Sequence, residues 1–471
     1  MNAAKRVATG LGVMALLVVA VVLVVWPEGS EPSSALVTGE GSVPRTPDAA
    51  AASTLGAEDS DSSFDPVSTT TLAADTASSL EPTITSPANP DGGSGSTPPS
   101  TEATQPDKPV QGFDAVVRPG ESIQAVVDGL AEGARVLIGA GVHLGQSVRP
   151  KAGMVFVGES GAVLDGQGSV EHAFFAPKNA PVDDVTIAGL EIRDYAPDPA
   201  FAAVSSFGSG WVVEDCDIHG SGASGIRVTS GSVVRDCHLH HNEKLGLRAN
   251  GSDILVVGNE ISFNNANGAF DPNWEAGGFK FGALDGVVIR DNHIHDNGGH
   301  GIWADVDSIN ILYEGNLIED NMLSAINHEI SYDSVIRNNT IRNNGHGDTR
   351  GWLWGAGIQI RGPNVAVYGN VLESNKNGIV LIQTGRGSGK HGSYDLRDVH
   401  VYDNVIINSG LNGGGRGDSG STAIFETSRF EGNEYHYKDI NGQWWMWDDG
   451  RGDKTFWQSR DQDPDGTFTT G

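Results

Sequence analysis

The chain has 471 residues and sets 60 acidic side chains against 30 basic ones, for a formal charge of −30. Such a surplus argues against nucleic acid and anionic membrane surfaces as partners, and it makes any cluster of cations informative. The 64 glycines suit a chain that turns sharply many times.

Lys5 and Arg6 precede an apolar run over residues 7–25 that ends at Trp26, Pro27 and Glu28. About 20 apolar residues suit a membrane-crossing helix, and cations before it with only acids soon after it put the N-terminus in the cytoplasm. We therefore expect a cytoplasmic tail over residues 1–6 and a transmembrane signal anchor over residues 7–26. Cleavage of this segment as a signal peptide would equally export the rest. Residues 27–110 are rich in Ser, Thr, Ala, Pro and Asp, with Arg45 and Lys108 the only cations. That composition cannot offset chain entropy by burial, so a disordered linker is expected.

The folded part follows, as a solenoid over residues 111–410 and a Gly-rich, then Trp-rich extension over residues 411–471. A strand near Val116 leads into residues 121–130, where Ile123, Val126, Val127 and Leu130 have helical spacing and Ser122 or Glu121 can cap. Such a helix would cover the open end of a solenoid. Short apolar runs at 135–138, 142–144, 154–157 and 162–164, separated by Gly turns, read as strands of the first coils.

Between Cys216 and Asn404 one phrase recurs: an apolar strand, then Asn or Cys, then an aliphatic residue two places on. The polar column reads Cys216, Cys237, Asn259, Asn292, Asn316, Asn339, Asn370 and Asn404, and a second one reads Asn242, Asn264, Asn297, Asn321, Asn344 and Asn375. Steps of 21 to 34 residues without a heptad indicate coils that bury their apolar edge only by stacking. Asn side chains in register satisfy one another along the stack. The expected fold is all-β, a single-stranded right-handed parallel β-helix with an N-terminal capping helix. Cys216 and Cys237 share one column of successive coils, close enough for a disulfide and equally suited to be a reduced buried pair.

A second register carries the candidate chemistry. After each small opening residue (Gly225, Gly246, Gly278, Gly301, Ala325, Gly357, Gly378) comes an inward apolar one, and alternation then sends Arg227, Arg248, Lys280, Trp303, Asn327 and Gln359 outward. Two places further, Asp305, Glu329 and Arg361 face outward too. Two coils are long just before this strand, with insertions at 269–276 and 345–355 that bring Trp274, Glu275, Trp352 and Trp354 as flat rings and an acid beside a groove. Past Asn404, alternation on both sides of Asn441-Gly442 reads as a C-terminal β-hairpin, with Trp444, Trp445, Trp447 and Trp457 packing over the last coils or the sheet edge.

Polar columns with aromatic platforms match sugar chains. For a uronate polymer, β-elimination needs a cation for the sugar carboxylate, a base and a proton donor. Lys280 is the expected base, Arg248 the carboxylate holder, and Asp305, Asp307 and Glu329 the expected calcium ligands. Hydrolysis by Asp305 with Glu329, or with Glu275, is the alternative, with His300 a further candidate for proton transfer and His328 expected to pack inward. The opening "RPGESIQAVVDGL" and "RVLIGAGVHLGQS" resemble pectate-lyase-like β-helix proteins. "WEAGGFKF", "GIWADVD" and "INHEISYDSVIRNNTIRNNG" resemble bacterial secreted β-helix proteins with carbohydrate-binding and sugar-hydrolysis repeats. "AFDPNWE" is similar to the "GFDPHD" motif of alginate C5-epimerases, with Asn273 where that motif has histidine. These resemblances imply an enzyme on an acidic polysaccharide, a lyase ahead of a hydrolase or C5-epimerase; export by the N-terminal segment makes it extracellular, and a monomer is expected. A non-catalytic glycan-binding or adhesive surface protein is the reading from another class.

Overall fold

Alternation decides the architecture. The inward residues Ile226, Leu247, Phe279, Ile302, Ile326, Ile358 and Ile379 are at most 1 % exposed and belong to one continuous core. The computed structural model describes residues 111–417 and 421–471, so the expected tail, anchor and linker over residues 1–110 lie outside the described residues. Among the described residues no helix is long and apolar enough to cross a membrane.

From Ala115–Val117 to Thr467–Thr470, nearly every strand pairs parallel with its counterpart one coil away, and three walls result. The first holds Ser224–Val228, Leu245–Ser252, His300–Asp305, Ile326–Glu329, Ala356–Arg361 and Asn377–Gln383. The second holds strands such as Val212–Glu214 and Val233–Arg235, and the third is a 13-stranded sheet that includes Asp217–His219 and His238–His240. Gly277–Arg290 runs unbroken through the corner between the first two walls.

The corner from second to third wall is two residues wide and its first residue is left-handed: Asp215, Asp236, Gly258, Asp291, Gly315, Asn338, Gly369 and Asp403 all have positive φ. Asp, Asn and Gly tolerate that conformation best. The ladder residue follows directly. Asn292 Nδ2 donates to Asn316 Oδ1 at 2.9 Å, and the same oxygen accepts from Asn292 N at 3.1 Å. The second ladder repeats this from Asn242 through Asn264, Asn297, Asn321 and Asn344 to Asn375. Cys216 and Cys237 are free and buried, so no disulfide links them.

The helix forms as expected, over Ile123–Gly129, with Ser122 Oγ accepting from Ala125 N at 3.2 Å. At the other end the structure departs from the sequence reading. Coils do not stop near residue 410: Asn404 Nδ2 donates to Asn433 Oδ1 at 2.9 Å, and Asn433 Nδ2 to Asp463 Oδ1 at 2.9 Å, so the first ladder gains two rungs. Glu434–Tyr437 pairs parallel with Val405–Ile407, not with the segment beyond Asn441-Gly442. The antiparallel hairpin joins Trp445–Trp447 to Gly450–Gly452 instead. Trp445, Trp447 and Trp457 fill the interior of these last coils rather than lying over them.

Two imidazoles are enclosed as well. His328 turns inward as expected, its Nδ1 3.2 Å from Tyr313 Oη, and burial lowers its pKa from 6.5 to about 3. Burial, then the charge of Arg350, lowers that of His300 to about 3 also. Both fold neutral, whereas an unfolded chain would protonate them. The stability they permit is therefore complete above pH 6.5 and lost as pH falls toward 3. The urea midpoint should fall on acidification from 6.5 to 5, more steeply in the parent than in His328→Gln; a slope unchanged by that substitution contradicts the assignment.

Candidate active site

Direct pairing of Lys280 with Trp303, Trp303 with Asn327 and Asn327 with Gln359 sets one polar column on the first wall, and Glu329 pairs with Arg361 two places on. The column is covered, with Asn327, Gln359, Trp303 and Glu329 all buried. Three loops cover it. Residues 264–276 are held by Lys244 Nζ, 2.6 Å from Glu275 Oε2. Residues 345–355 are held by Lys376 Nζ, which donates to Asp348 O and Arg350 O at 2.6 Å each. Residues 384–396 are held at their base by Leu396 N donating to Gln383 Oε1 at 2.6 Å.

Beneath them lies a cavity of about 240 Å³. At its mouth Lys280 Nζ is 3.0 Å from Asp305 Oδ2, donates to Trp274 O, and sits 3.5 Å from the centre of the Trp303 ring. A carboxylate, a carbonyl and an indole face surround this nitrogen, the partners that suit an ammonium donor. Deeper, Glu329 Oε1 meets Arg361 Nη1 at 2.8 Å and Arg386 Nη1 at 2.7 Å, while Oε2 accepts from Trp303 Nε1 at 3.1 Å. Gln359 Nε2 donates to Asn327 Oδ1 at 2.8 Å, and Asn327 Nδ2 lies 3.4 Å from His300 Nε2.

The two carboxylates differ in proton affinity. Burial raises the pKa of Asp305, the charge of Glu329 adds to the rise, and Lys280 only partly offsets it. Burial would raise that of Glu329 as well, but Arg361, Arg386 and Lys280 together carry it below the usual range. Lys280, Arg350, Arg361 and Arg386 line the cavity against Asp305 and Glu329 alone. Even with Arg350 neutralised by Asp348, 2.7 Å away, one positive charge remains. In so acidic a chain this cleft stands out as the place for an anion.

Nine expected site residues converge here: Lys280, Asp305, Glu329, Trp274, Trp303, Asn327, Gln359, Arg361 and Trp354. Trp274 is 72 % exposed at the rim, with Lys280 Nζ 5.9 Å from its ring centre. Five others do not join them. Arg227 stacks 4.2 Å over the Phe207 ring and donates to Asn250 Oδ1 at 3.2 Å. Glu275 holds Arg248 Nη1 at 2.7 Å on one oxygen and Lys244 Nζ at 2.6 Å on the other, so both oxygens of this acid are engaged away from the cavity. Trp352 packs with Leu353, Val380 and Ile382, because the small Gly415 opposite leaves room for its ring. Asp307 accepts from Tyr394 Oη and Lys390 N, each at 2.7 Å, under the third loop.

Asp305, Asp307 and Glu329 therefore do not fit calcium as one oxygen cage: the oxygens of Glu329 are taken by two guanidiniums and an indole, and Asp307 is held under its loop. Sequence reasoning missed Arg350 and Arg386. For Arg386 a signal existed: Asn370 to Asn404 is 34 residues although Gly357 to Gly378 is 21, so the excess must follow the strand.

A family model for the right-handed β-helix region matches residues 202–370. The fold is a right-handed parallel β-helix. No curated protein matches the chain. Among solved structures, the complex of XylC with xylose is similar at 12 % identity, over 67 % of this chain and 80 % of that one, with a TM-score of 0.54. A mannuronic acid specific polysaccharide family 6 lyase from human gut microbiota is similar at 15 % identity, over 68 % and 81 %, with a TM-score of 0.50. The A-module of an Azotobacter vinelandii mannuronan C-5 epimerase reaches 16 % identity, over 68 % and 95 %, with a TM-score of 0.48. At such identities the likeness is one of fold.

Proposed function

We propose that this β-helix is an extracellular enzyme that cleaves a uronate-containing polysaccharide by β-elimination. The observation that carries the reading is the Lys280–Asp305 pair, 3.0 Å apart at the mouth of a cleft with surplus positive charge. Arg386 is 31 % exposed and uses one edge on Glu329, so its remaining N–H donors are free in direction for a sugar carboxylate. Trp274 offers its face to a sugar ring.

Asp305, whose proton affinity is raised by burial, takes the proton from the carbon beside the sugar carboxylate. The released electron pair forms the carbon–carbon double bond, and the bond to the leaving oxygen breaks. The Lys280 ammonium gives that oxygen its proton, and Asp305 then returns one to Lys280 across their contact. Base and donor stand side by side, so the elimination is syn. The hydrolytic alternative is weakened because both oxygens of Glu329 already hold cations or an indole N–H.

The test is incubation of the full chain with a panel of uronate and neutral glycans. The expected result is new ultraviolet absorbance from unsaturated uronate on an acidic glycan. Reducing ends without that absorbance would assign hydrolysis, and retention on a glycan with neither would assign binding alone.

A further inference from the structure

On the third wall, away from the cleft, histidines stack across coils. Asp217 and His219 lie two apart on one strand and therefore on one face, and His219 pairs directly with His240 on the next coil. One potential ligand atom from each of Asp217, His219 and His240 lies within 4.8 Å of the other two. His240 Nε2 is 2.8 Å from Asp217 Oδ1, and the His219 and His240 rings stack with centres 4.7 Å apart. The other nitrogen of His240, Nδ1, faces His241 Nδ1 at 2.7 Å.

That last contact holds a single hydrogen between two nitrogens. On His241 Nδ1 it leaves His240 Nε2–H to donate to Asp217, and on His240 Nδ1 it leaves the Nε2 lone pair facing the Asp217 carboxylate, the arrangement an ion between them would stabilise. Pairing of the two coils fixes the backbones, and the His219 and His240 rings, 11° from parallel, rotate about their side-chain bonds to bring both lone pairs onto one ion, His219 leaving Glu191 Oε1 at 3.5 Å. From this geometry we propose that Asp217, His219 and His240 bind a divalent transition ion of the zinc class. Two imidazoles and one carboxylate are a donor set for such ions rather than for calcium or magnesium. Three protein ligands leave a fourth position for water. Ligands about 2 Å from a tetrahedral ion stand about 3.3 Å apart, so Asp217 Oδ1 and His240 Nε2 open by about half an ångström, within the reach of side-chain rotation. His241 then orients His240 from behind, as partners of metal-bound histidines do. The ion would join two successive coils and stiffen the wall.

The test uses the full chain after treatment with a chelator. Titration with zinc chloride by calorimetry, and with cobalt chloride by visible absorption, is expected to give one equivalent and the strong bands of four-coordinate cobalt. Asp217→Asn and His240→Gln should each weaken zinc binding at least tenfold, whereas His293→Gln, on the same wall but outside the three, should leave it unchanged. In the unaltered chain zinc should also shield His219 and His240 from diethyl pyrocarbonate. Absence of a stoichiometric site, binding indifferent to the first two substitutions, or no shielding would each overturn the proposal.

Discussion

Asp305→Asn is expected to lower kcat on the cleaved glycan by about a thousandfold while changing KM little, because it removes the proton acceptor and keeps the shape; general acid–base groups contribute about 10²–10⁴. Lys280→Ala should cost a comparable factor, and the double substitution little more than either alone, since the two act as one relay at 3.0 Å. Activity requires Asp305 ionised. Because burial and then the charge of Glu329 raise its pKa, the ascending limb of kcat against pH should lie above the usual aspartate range. In Glu329→Gln that limb should move to lower pH, as the like charge has gone. Stopped or continuous assay of unsaturated uronate from pH 3 to 9 reads all three. Asp305→Asn retaining a third of parental kcat would remove Asp305 from the chemistry, and additive losses in the double variant would separate the pair.

The wall and its columns were legible because hydrogen-bonded stacking locks each coil to the next, so a residue's place in the phrase is also its place in space. Lys280, Trp303, Asn327 and Gln359 could be aligned by counting, and pairing across strands agrees with that count. What lies above the wall is not tied to the period. Arg248 looked available from its column and Glu275 from its inserted loop, yet that loop turned one onto the other. Asp307 is two residues from Asp305 but falls under the loop that carries Tyr394. The C-terminal misreading has another cause, since alternating strands look alike in a hairpin and in a coil. Gly432-Asn433, a repeat of Gly369-Asn370, was the sign that the ladder continued.

Asn316→Leu should be strongly destabilising. Asn316 Oδ1 accepts from both Asn292 N and Asn292 Nδ2, and Asn316 Nδ2 donates to Ile289 O and Asn339 Oδ1. Leucine removes all four bonds and leaves Asn292 N buried without an acceptor, whereas Asn292 Nδ2 keeps Val256 O and Arg290 O; the unsatisfied donor alone costs roughly 1–3 kcal/mol. Position matters as much as chemistry. Cys237 shows what the column needs at its beginning: its single S–H lies within reach of Arg235 O at 3.2 Å and Val213 O at 3.5 Å, the counterparts of the carbonyls that Asn259 Nδ2 reaches one coil on. Thiols suffice there because weaker bonds at the start of a ladder interrupt nothing below it. Cys216→Ala should therefore shift the urea midpoint far less than Asn316→Leu, which interrupts the stack midway and should also broaden the transition as coils on either side uncouple. Equal shifts for the two substitutions would mean that the ladder is a passive filling of the corner rather than the element that couples one coil to the next.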